Sequence, residues 1–129
     1  MILLRALDGT EIHADENAII LVTGPDPQVA GAHVNIYGID RGALLAADNP
    51  AILVARLAVR PPLARLTRPD RTPVWIKGPA VTALRSPLST ERQGPGEVNA
   101  VVILGGLHQA LLEDVAAAQQ VLNAHGANV

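Results

Sequence analysis

The sequence predicts an α+β protein of two tandem repeats, each a small antiparallel, hairpin-rich sheet or partly open barrel of four to five strands followed by one helix. The first reason is internal similarity, because the start of the chain recurs after a shift of 62 residues. That shift aligns Asp8 with Asp70, Thr10 with Thr72, Ile12 with Val74, Ala18 with Ala80, Ile19 with Val81 and Pro25 with Pro87. The second reason is a series of short apolar runs separated by turn-forming residues, which is typical of short strands.

The first repeat, residues 1–62, is predicted to hold five strands and one helix. The strands cover residues 2–6, 11–14, 18–22, 33–39 and 43–46. Asp8-Gly9 is a hairpin turn signal, and Gly24-Pro25-Asp26-Pro27 ends the third strand because proline cannot donate to a sheet. Asn49 caps a helix that has Pro50 at its first position and continues to about residue 59, before Pro61-Pro62 stops it.

The second repeat, residues 63–129, follows the same plan. Three strands are predicted at residues 64–68, 73–77 and 80–85. A connection rich in Pro, Gly and polar residues, 86–96, comes next and is expected to be mobile. Residues 99–104 form the most strand-like run of the chain, continuous enough to be buried on both faces. We expect the two repeats to pack as one globular unit, since each alone is near the size at which a core becomes marginal.

Residues 107–123 allow two interpretations. The apolar residues Leu107, Leu111, Val115 and Leu122 lie at helical spacing, which favours one long helix. The repeat favours a different arrangement, because Ala43-Leu44-Leu45 aligns with residues 110–112. By that comparison residues 109–112 form a strand, and Asp114 caps a helix that ends near residue 124. We prefer the strand.

Composition limits the function classes. The chain of 129 residues is 49% apolar, has no Cys or Phe, and has Trp75 and Tyr37 as its two aromatic residues. The absence of Cys excludes disulfides and thiolate chemistry. No apolar run approaches the roughly 18 residues that a membrane span needs, and the N-terminus does not resemble a signal peptide. We therefore expect a cytoplasmic protein, or a virion component if it derives from a phage.

The charge is distributed unevenly although the formal net charge is only −2. Residues 1–48 contain seven acidic and two basic residues, whereas residues 49–90 contain seven basic residues and one acidic residue. Such a molecule could associate head to tail with its own kind or present its basic face to an acidic partner. Ordinary solvated charge is the alternative explanation.

The search for chemistry finds no catalytic or cofactor motif. The histidines His13, His33, His108 and His125 lie on four different segments, and a metal site joining His13 to His33 would need a strand pairing that the sequence does not show. There is no nucleophile elbow, and the run 101–106 lacks the remaining glycine of a dinucleotide-binding turn. We predict a protein that is not an enzyme and that holds no cofactor or metal.

The basic stretch from Arg56 to Arg85 is the best candidate for a binding surface. Its cations could track phosphates, but only Trp75 could stack on a base, so nucleic acid is the weaker alternative. Trp75 aligns with the half-polar His13, which favours a partly exposed contact over a core position. The predicted partner-binding residues are Arg65, Arg68, Arg71, Trp75, Lys77 and Arg85.

The second repeat also resembles a known family. Its runs 66–70 (LTRPD), 74–77 (VWIK), 80–81 (AV) and 100–106 (AVVILGG), with Glu113 before a helix, are similar to the pattern of the FlbD/SwrD-like small flagellar proteins. The chain also resembles small proteins of bacterial and prophage genomes. The resemblance implies a non-enzymatic accessory of a larger assembly.

These observations predict a structural, assembly or adaptor protein of a phage-like particle or a motility apparatus. Its partner would be a second copy of itself, as a homo-oligomer, or a larger protein assembly. The alternative is a small regulator that binds nucleic acid through residues 56–85.

Overall fold

A computed structural model of the protein describes residues 1–24, 34–92 and 96–129, and within them it is α+β. We call residues 1–62 the first half and residues 63–129 the second half. The first half contains β1 (Ile2–Arg5), β2 (Glu11–Ala14), β3 (Leu21–Thr23), β4 (Val34–Tyr37), β5 (Leu44–Ala46) and α1 (Pro50–Arg56). The second half contains β6 (Ala64–Thr67), β7 (Pro73–Ile76), β8 (Val81–Arg85), β9 (Ala100–Leu104), β10 (Leu107–Leu111) and α2 (Val115–Ala124).

The described strands form three antiparallel sheets and not closed barrels. One sheet has five strands in the order β5-β4-β3-β7-β6, one has three in the order β10-β9-β8, and β1-β2 is a separate hairpin. In each half the end of the last strand touches the first strand through one backbone bond. Ala47 N donates to Arg5 O at 2.7 Å, and Leu112 N donates to Thr67 O at 2.8 Å. Each half is therefore a curved but open arrangement.

The two hairpin turns have the same geometry. In the first, Ala6 N donates to Thr10 O at 2.8 Å and Thr10 N donates to the Asp8 carboxylate at 2.9 Å. In the second, Arg68 N donates to Thr72 O at 2.8 Å and Thr72 N donates to Asp70 at 3.0 Å. An aspartate that accepts from the backbone two residues on stabilises a turn, which is why both hairpins form here.

A single-turn 3-10 helix follows each hairpin, at Glu16–Ala18 and at Gly78–Ala80. The residues before and after the two turns have nearly the same backbone angles, φ −79° and ψ 108° at Asp15 against φ −76° and ψ 106° at Lys77. The sequence pattern predicts Ala18 and Ala80 in strands. The structure places them in these turns, so β3 and β8 begin later than predicted.

The five-stranded sheet joins the two halves. Its centre is the antiparallel pair of β3 and β7, with Leu21 opposite Ile76, Val22 opposite Trp75 and Thr23 opposite Val74. Strand β3 is an edge of the first half's meander, and β7 belongs to the second half's hairpin. The largest sheet of the protein therefore depends on a pairing between segments about 50 residues apart in the chain.

Two cores lie on opposite faces of this sheet. Val22, Ile36 and Trp75 pack on one face with hairpin β1-β2 and Leu53 of α1. Leu21, Val74 and Ile76 pack on the other face with the three-stranded sheet and with Ala118 and Leu122 of α2. Because successive residues of a strand point to opposite faces, both faces can be apolar in one short run, as in the sequence Leu21-Val22.

Strand β10 confirms that this stretch forms a strand and not part of a helix, since Leu107 to Leu111 pair with β9. The strand begins two residues before the predicted residues 109–112 and ends one residue earlier. Asp114 caps α2 by accepting from Ala117 N at 2.8 Å. Asn49 caps α1 by accepting from Ala51 N at 3.0 Å, but α1 ends at Arg56, before the predicted residue 59.

Ser89–Arg92 form a 3-10 turn inside the connection that we expected to be mobile. The predicted turn at residues 25–27 and the predicted strand start at His33 lie outside the described residues.

Candidate partner-binding surface

The predicted partner-binding residues lie on hairpin β6-β7 and on β8. Arg65 is exposed on β6, directly opposite Trp75. Arg68 and Arg71 lie at the tip of the hairpin, Lys77 follows β7, and Arg85 ends β8. The structure therefore groups Arg68 and Arg71 at one tip, while the remaining cations are spread along the chain.

Arg68 belongs to the turn. Its guanidinium lies 3.5 Å from the carboxylate of Asp70. Desolvation raises the pKa of Asp70, but the hydrogen bonds from the side chain and backbone of Thr72 and the charge of Arg68 outweigh it, so the pKa is lowered. The ionised Asp70 thus accepts a hydrogen bond from the turn backbone and neutralises part of the positive charge at the hairpin tip.

Arg71 adopts a backbone conformation that is unusual for a residue with a side chain. Its φ is 71°, whereas glycine stands at the aligned position of the first hairpin, Gly9, with φ 89°. The left-handed region costs an L-residue about 1 kcal/mol or more relative to glycine. The second hairpin therefore carries an exposed cation at a position where its backbone favours glycine.

Lys77 of the second half forms two hydrogen bonds with the first half. Its ammonium donates to Asn17 O at 2.6 Å, and its backbone N–H donates to Ile20 O at 2.8 Å. Both acceptors belong to the first half. Lys77 therefore continues the β3–β7 pairing beyond the strands and contributes to packing of the halves, with its charge directed at a backbone carbonyl.

Arg85 forms a bidentate ion pair with Glu91. The guanidinium nitrogens lie 2.7 Å and 3.0 Å from the two carboxylate oxygens. Hydrogen bonding to Glu91 raises the pKa of Arg85, and hydrogen bonds from Arg85 and from Leu88 N lower the pKa of Glu91 to about 2. This pair fixes the 3-10 turn that follows β8.

The expectation that Trp75 is a partly exposed contact is wrong. Its side chain is 7% exposed and packs in the first core, opposite Val22. The aligned residue of the first half, His13, is exposed on β2. Trp75 is buried because β7 lies inside the five-stranded sheet, between β3 and β6, and its side chain faces the first core. Strand β2 pairs only with β1 among the described residues.

Within the described part of the chain, Arg65 and Arg71 are the two predicted cations that form no ion pair and no side-chain hydrogen bond. Both are exposed on hairpin β6-β7. They are the residues of the predicted set that are available to an acidic partner in this conformation.

The free strand edges are a second kind of surface, which the sequence pattern does not predict. Among the described residues, β2 pairs only with β1, and β8 pairs only with β9. Three of four residues of β2 and all five of β8 are exposed or half-buried, whereas Leu21, Val22 and Thr23 of β3 are all buried. The internal similarity aligns β2 with β7 and the end of β8 with β3. It does not show which of these strands are paired, because pairing partners are not visible in a sequence.

A small polar cavity of about 230 Å³ lies where the halves meet, lined by Thr23, Asn35, Tyr37, Arg68 and Gln109. The Asn35 amide donates to Gly24 O at 3.2 Å. Every buried side-chain N or O atom of the described residues has a hydrogen-bond partner. No buried polar atom is therefore left without a partner at the cavity, and its lining does not point to a particular ligand.

The described residues contain no group of three or more His, Asp and Glu side chains arranged to hold a metal ion. His33, which the sequence analysis considered with His13, lies outside the described residues. Neither helix in the described ranges is long and apolar enough to cross a membrane.

Comparisons with protein-family models, with curated proteins and with solved structures found no match to this chain.

Proposed function

We propose that the protein is a non-enzymatic assembly or adaptor component, of a phage-like particle or a motility apparatus, that binds copies of itself or a protein partner. The observation that carries this proposal is the β3–β7 pair, in which the two halves associate by adding one edge strand to another. Strand addition at a sheet edge is also a common way for separate chains to bind, because backbone hydrogen bonds supply the contacts.

We further infer that the halves are tandem repeats of one unit. Support comes from the common order of strands, 3-10 turn and helix, and from the equivalent turns at Asp8 and Asp70. A duplicated unit whose copies bind each other heterologously is suited to extended or cyclic assembly. The cytoplasm, or a virion, is the proposed location.

The distribution of charge supports a polar partner surface. Arg65 and Arg71 are exposed on the second half's hairpin, and the first half's hairpin region carries Asp8, Glu11 and Asp15 at exposed positions. Complementary charge accelerates association and selects orientation, and salt screens it.

The test is the solution mass by light scattering at low and at high salt, on protein freed of nucleic acid. We expect a defined oligomer that loosens with salt. The double variant Arg65→Glu with Arg71→Glu should loosen it at low salt, and Arg41→Glu, at an exposed position of the acidic half, is the control. A monomer at both salts that instead binds RNA or DNA in a salt-sensitive way would support the nucleic-acid regulator and overturn the assembly proposal.

A further inference from the structure

The strands that correspond to β3 and β7 in the other half, β8 and β2, are not paired with each other within the molecule. A shift of 62 residues carries β3 onto the end of β8, and carries β2 onto β7. Strands β3 and β7 are paired with each other inside the molecule. Their counterparts β8 and β2 belong to different sheets. Each of these two strands is paired on one side only among the described residues. One heterologous contact is therefore made within the chain, and the edges of β8 and β2 that correspond to it are unpaired among the described residues.

We propose that β8 of one copy adds antiparallel to β2 of a second copy, repeating the β3–β7 pairing between molecules. The register follows from the internal pair: Ala83 opposite Ala14, Leu84 opposite His13, and Arg85 opposite Ile12. This inference rests on the proposed function and names its partner, a second copy of this chain.

Side-chain orientation fits this register. Val22 and Trp75 share the first core, and Leu21 and Ile76 share the second. Leu84, the counterpart of Val22, already packs against the second core, which is the core of its own half. Pairing would place the exposed His13 of the second copy beside it, in the place that Trp75 occupies beside Val22. Ala83 would lie beside Ala14, which is buried in the first core of the second copy.

The backbone of β8 is regular where the pairing is proposed. The irregularity of the β8–β9 register lies between Val81 and Ala83, so residues 83–85 run in unbroken register against β9.

The segment after each helix packs on the 3-10 turn in both halves. Ala58 N donates to Glu16, and a Cβ at Gly78 would collide with His125 O. The turn before β8 is therefore contacted by the segment after α2, as the turn before β3 is contacted by the segment after α1.

One contact is not reproduced. Asp15 stands where Lys77 stands in the second half, so the bond from the Lys77 ammonium to Asn17 O has no side-chain equivalent. The backbone bond from Lys77 N to Ile20 O would have one, from Asp15 N of the second copy to Thr82 O, which lies at the irregularity of β8. At the strands themselves the intermolecular contact would rest on backbone bonds and apolar contacts, so its stability should be lower than that of the internal pair. Salt would act on it through charges outside the two strands, such as Arg65 and Arg71.

Each copy offers one β8 edge and one β2 edge, so the contact is head to tail. Repetition of a heterologous contact gives a ring if the rotation closes and an open chain if it does not. In a ring every β8 edge meets a β2 edge, and in an open chain every one does except at the two ends. These two edges, which are liable to non-specific pairing while they are exposed, are then covered.

The absence of Cys from the chain allows a direct test of the register. Four single-cysteine variants are made: Leu84→Cys, Ala83→Cys, His13→Cys and Ala14→Cys. Opposed residues of an antiparallel pair have Cα atoms about 4.5 to 5.5 Å apart, within the range that a disulfide spans. A one-residue shift puts the two side chains on opposite faces. The variants are mixed in pairs, oxidised and compared by non-reducing gel electrophoresis.

We expect the matched mixtures, Leu84→Cys with His13→Cys and Ala83→Cys with Ala14→Cys, to give several-fold more cross-linked dimer than the crossed mixtures of the same four proteins. Thermal unfolding under reducing conditions confirms that each variant folds. Should the buried Ala14→Cys fail this check, the matched mixture Leu84→Cys with His13→Cys and the crossed mixture Ala83→Cys with His13→Cys still decide the register.

The solution mass separates this inference from the proposed function. An oligomer whose matched and crossed mixtures cross-link equally would overturn the β8–β2 contact and leave self-assembly in place through another surface. A monomer without matched cross-links would overturn the contact and remove self-association from the proposed function, leaving a protein partner. An oligomer with matched cross-links supports both.

Discussion

Val22 of the first half lies directly opposite Trp75 of the second half, and the two side chains share one core. This contact makes the sole tryptophan of the chain part of the other half's interior. It also explains why the second half's hairpin is anchored in the central sheet while the first half's hairpin is a separate two-stranded sheet.

Replacement of Trp75 tests the joint between the halves. We expect Trp75→Ala to lower the free energy of unfolding by about 3 to 5 kcal/mol, because a large buried side chain is removed from a shared core. His13→Ala, at the aligned and exposed position, should change it by less than about 0.5 kcal/mol. Urea denaturation followed by circular dichroism at low protein concentration measures both. Similar losses in the two variants would contradict the assigned burial.

The turn residues Gly9 and Arg71 make a matched pair. Arg71→Gly should raise the free energy of unfolding by about 1 kcal/mol, since φ 71° is a conformation that glycine adopts without a Cβ penalty. Gly9→Ala, at φ 89°, should lower it by a similar amount. Opposite signs in urea denaturation are the expected result, and a destabilising Arg71→Gly would mean that the Arg71 side chain makes a contact that outweighs the strain.

Gly78 is required by a close approach. A Cβ there would collide with the carbonyl oxygen of His125, so Gly78→Ala must displace the segment after α2 or the 3-10 turn. We expect a loss of about 1 to 3 kcal/mol, the usual cost of overpacking. Gly42→Ala, where a Cβ would meet no atom within 4 Å, is the control. Thermal unfolding of both variants checks this, and equal melting temperatures would show that the segment moves without cost.

The Arg85–Glu91 pair should make stability depend on pH. The pKa of Glu91 is lowered from 4.5 to about 2 in the folded protein, chiefly by the hydrogen bonds from Arg85. A lowered folded-state pKa stabilises the protein above the unfolded value, and this contribution is lost as the pH falls through the folded value. Glu91→Gln should therefore lower the melting temperature at pH 7.

The difference between the wild-type protein and Glu91→Gln should shrink below about pH 4.5 and disappear near pH 2. Glu97→Gln, at an exposed carboxylate, is the control and should show no comparable change. Because the two side chains of the pair remain 29% and 27% exposed, added salt should reduce the effect. A pH-independent difference would mean that Glu91 acts through packing and not through its charge.

The sequence by itself determined the local elements of this protein. Asp8 and Asp70 mark turns, Asn49 and Asp114 cap helices, and short β-branched runs mark strands, because each of these signals depends on atoms within a few residues. The comparison of Ala43-Leu44-Leu45 with residues 110–112 also identified β10 correctly, against the helical spacing of its leucines.

Only the tertiary structure decided which edges meet. The aligned strands β3 and β8 carry similar local signals, as do β2 and β7, yet β3 and β7 pair with each other while β8 and β2 each keep an edge free among the described residues. Pairing between distant strands depends on how the halves pack, and no short stretch of sequence encodes that. The same reason buries Trp75, ties Lys77 to the first half and leaves Arg65 and Arg71 exposed.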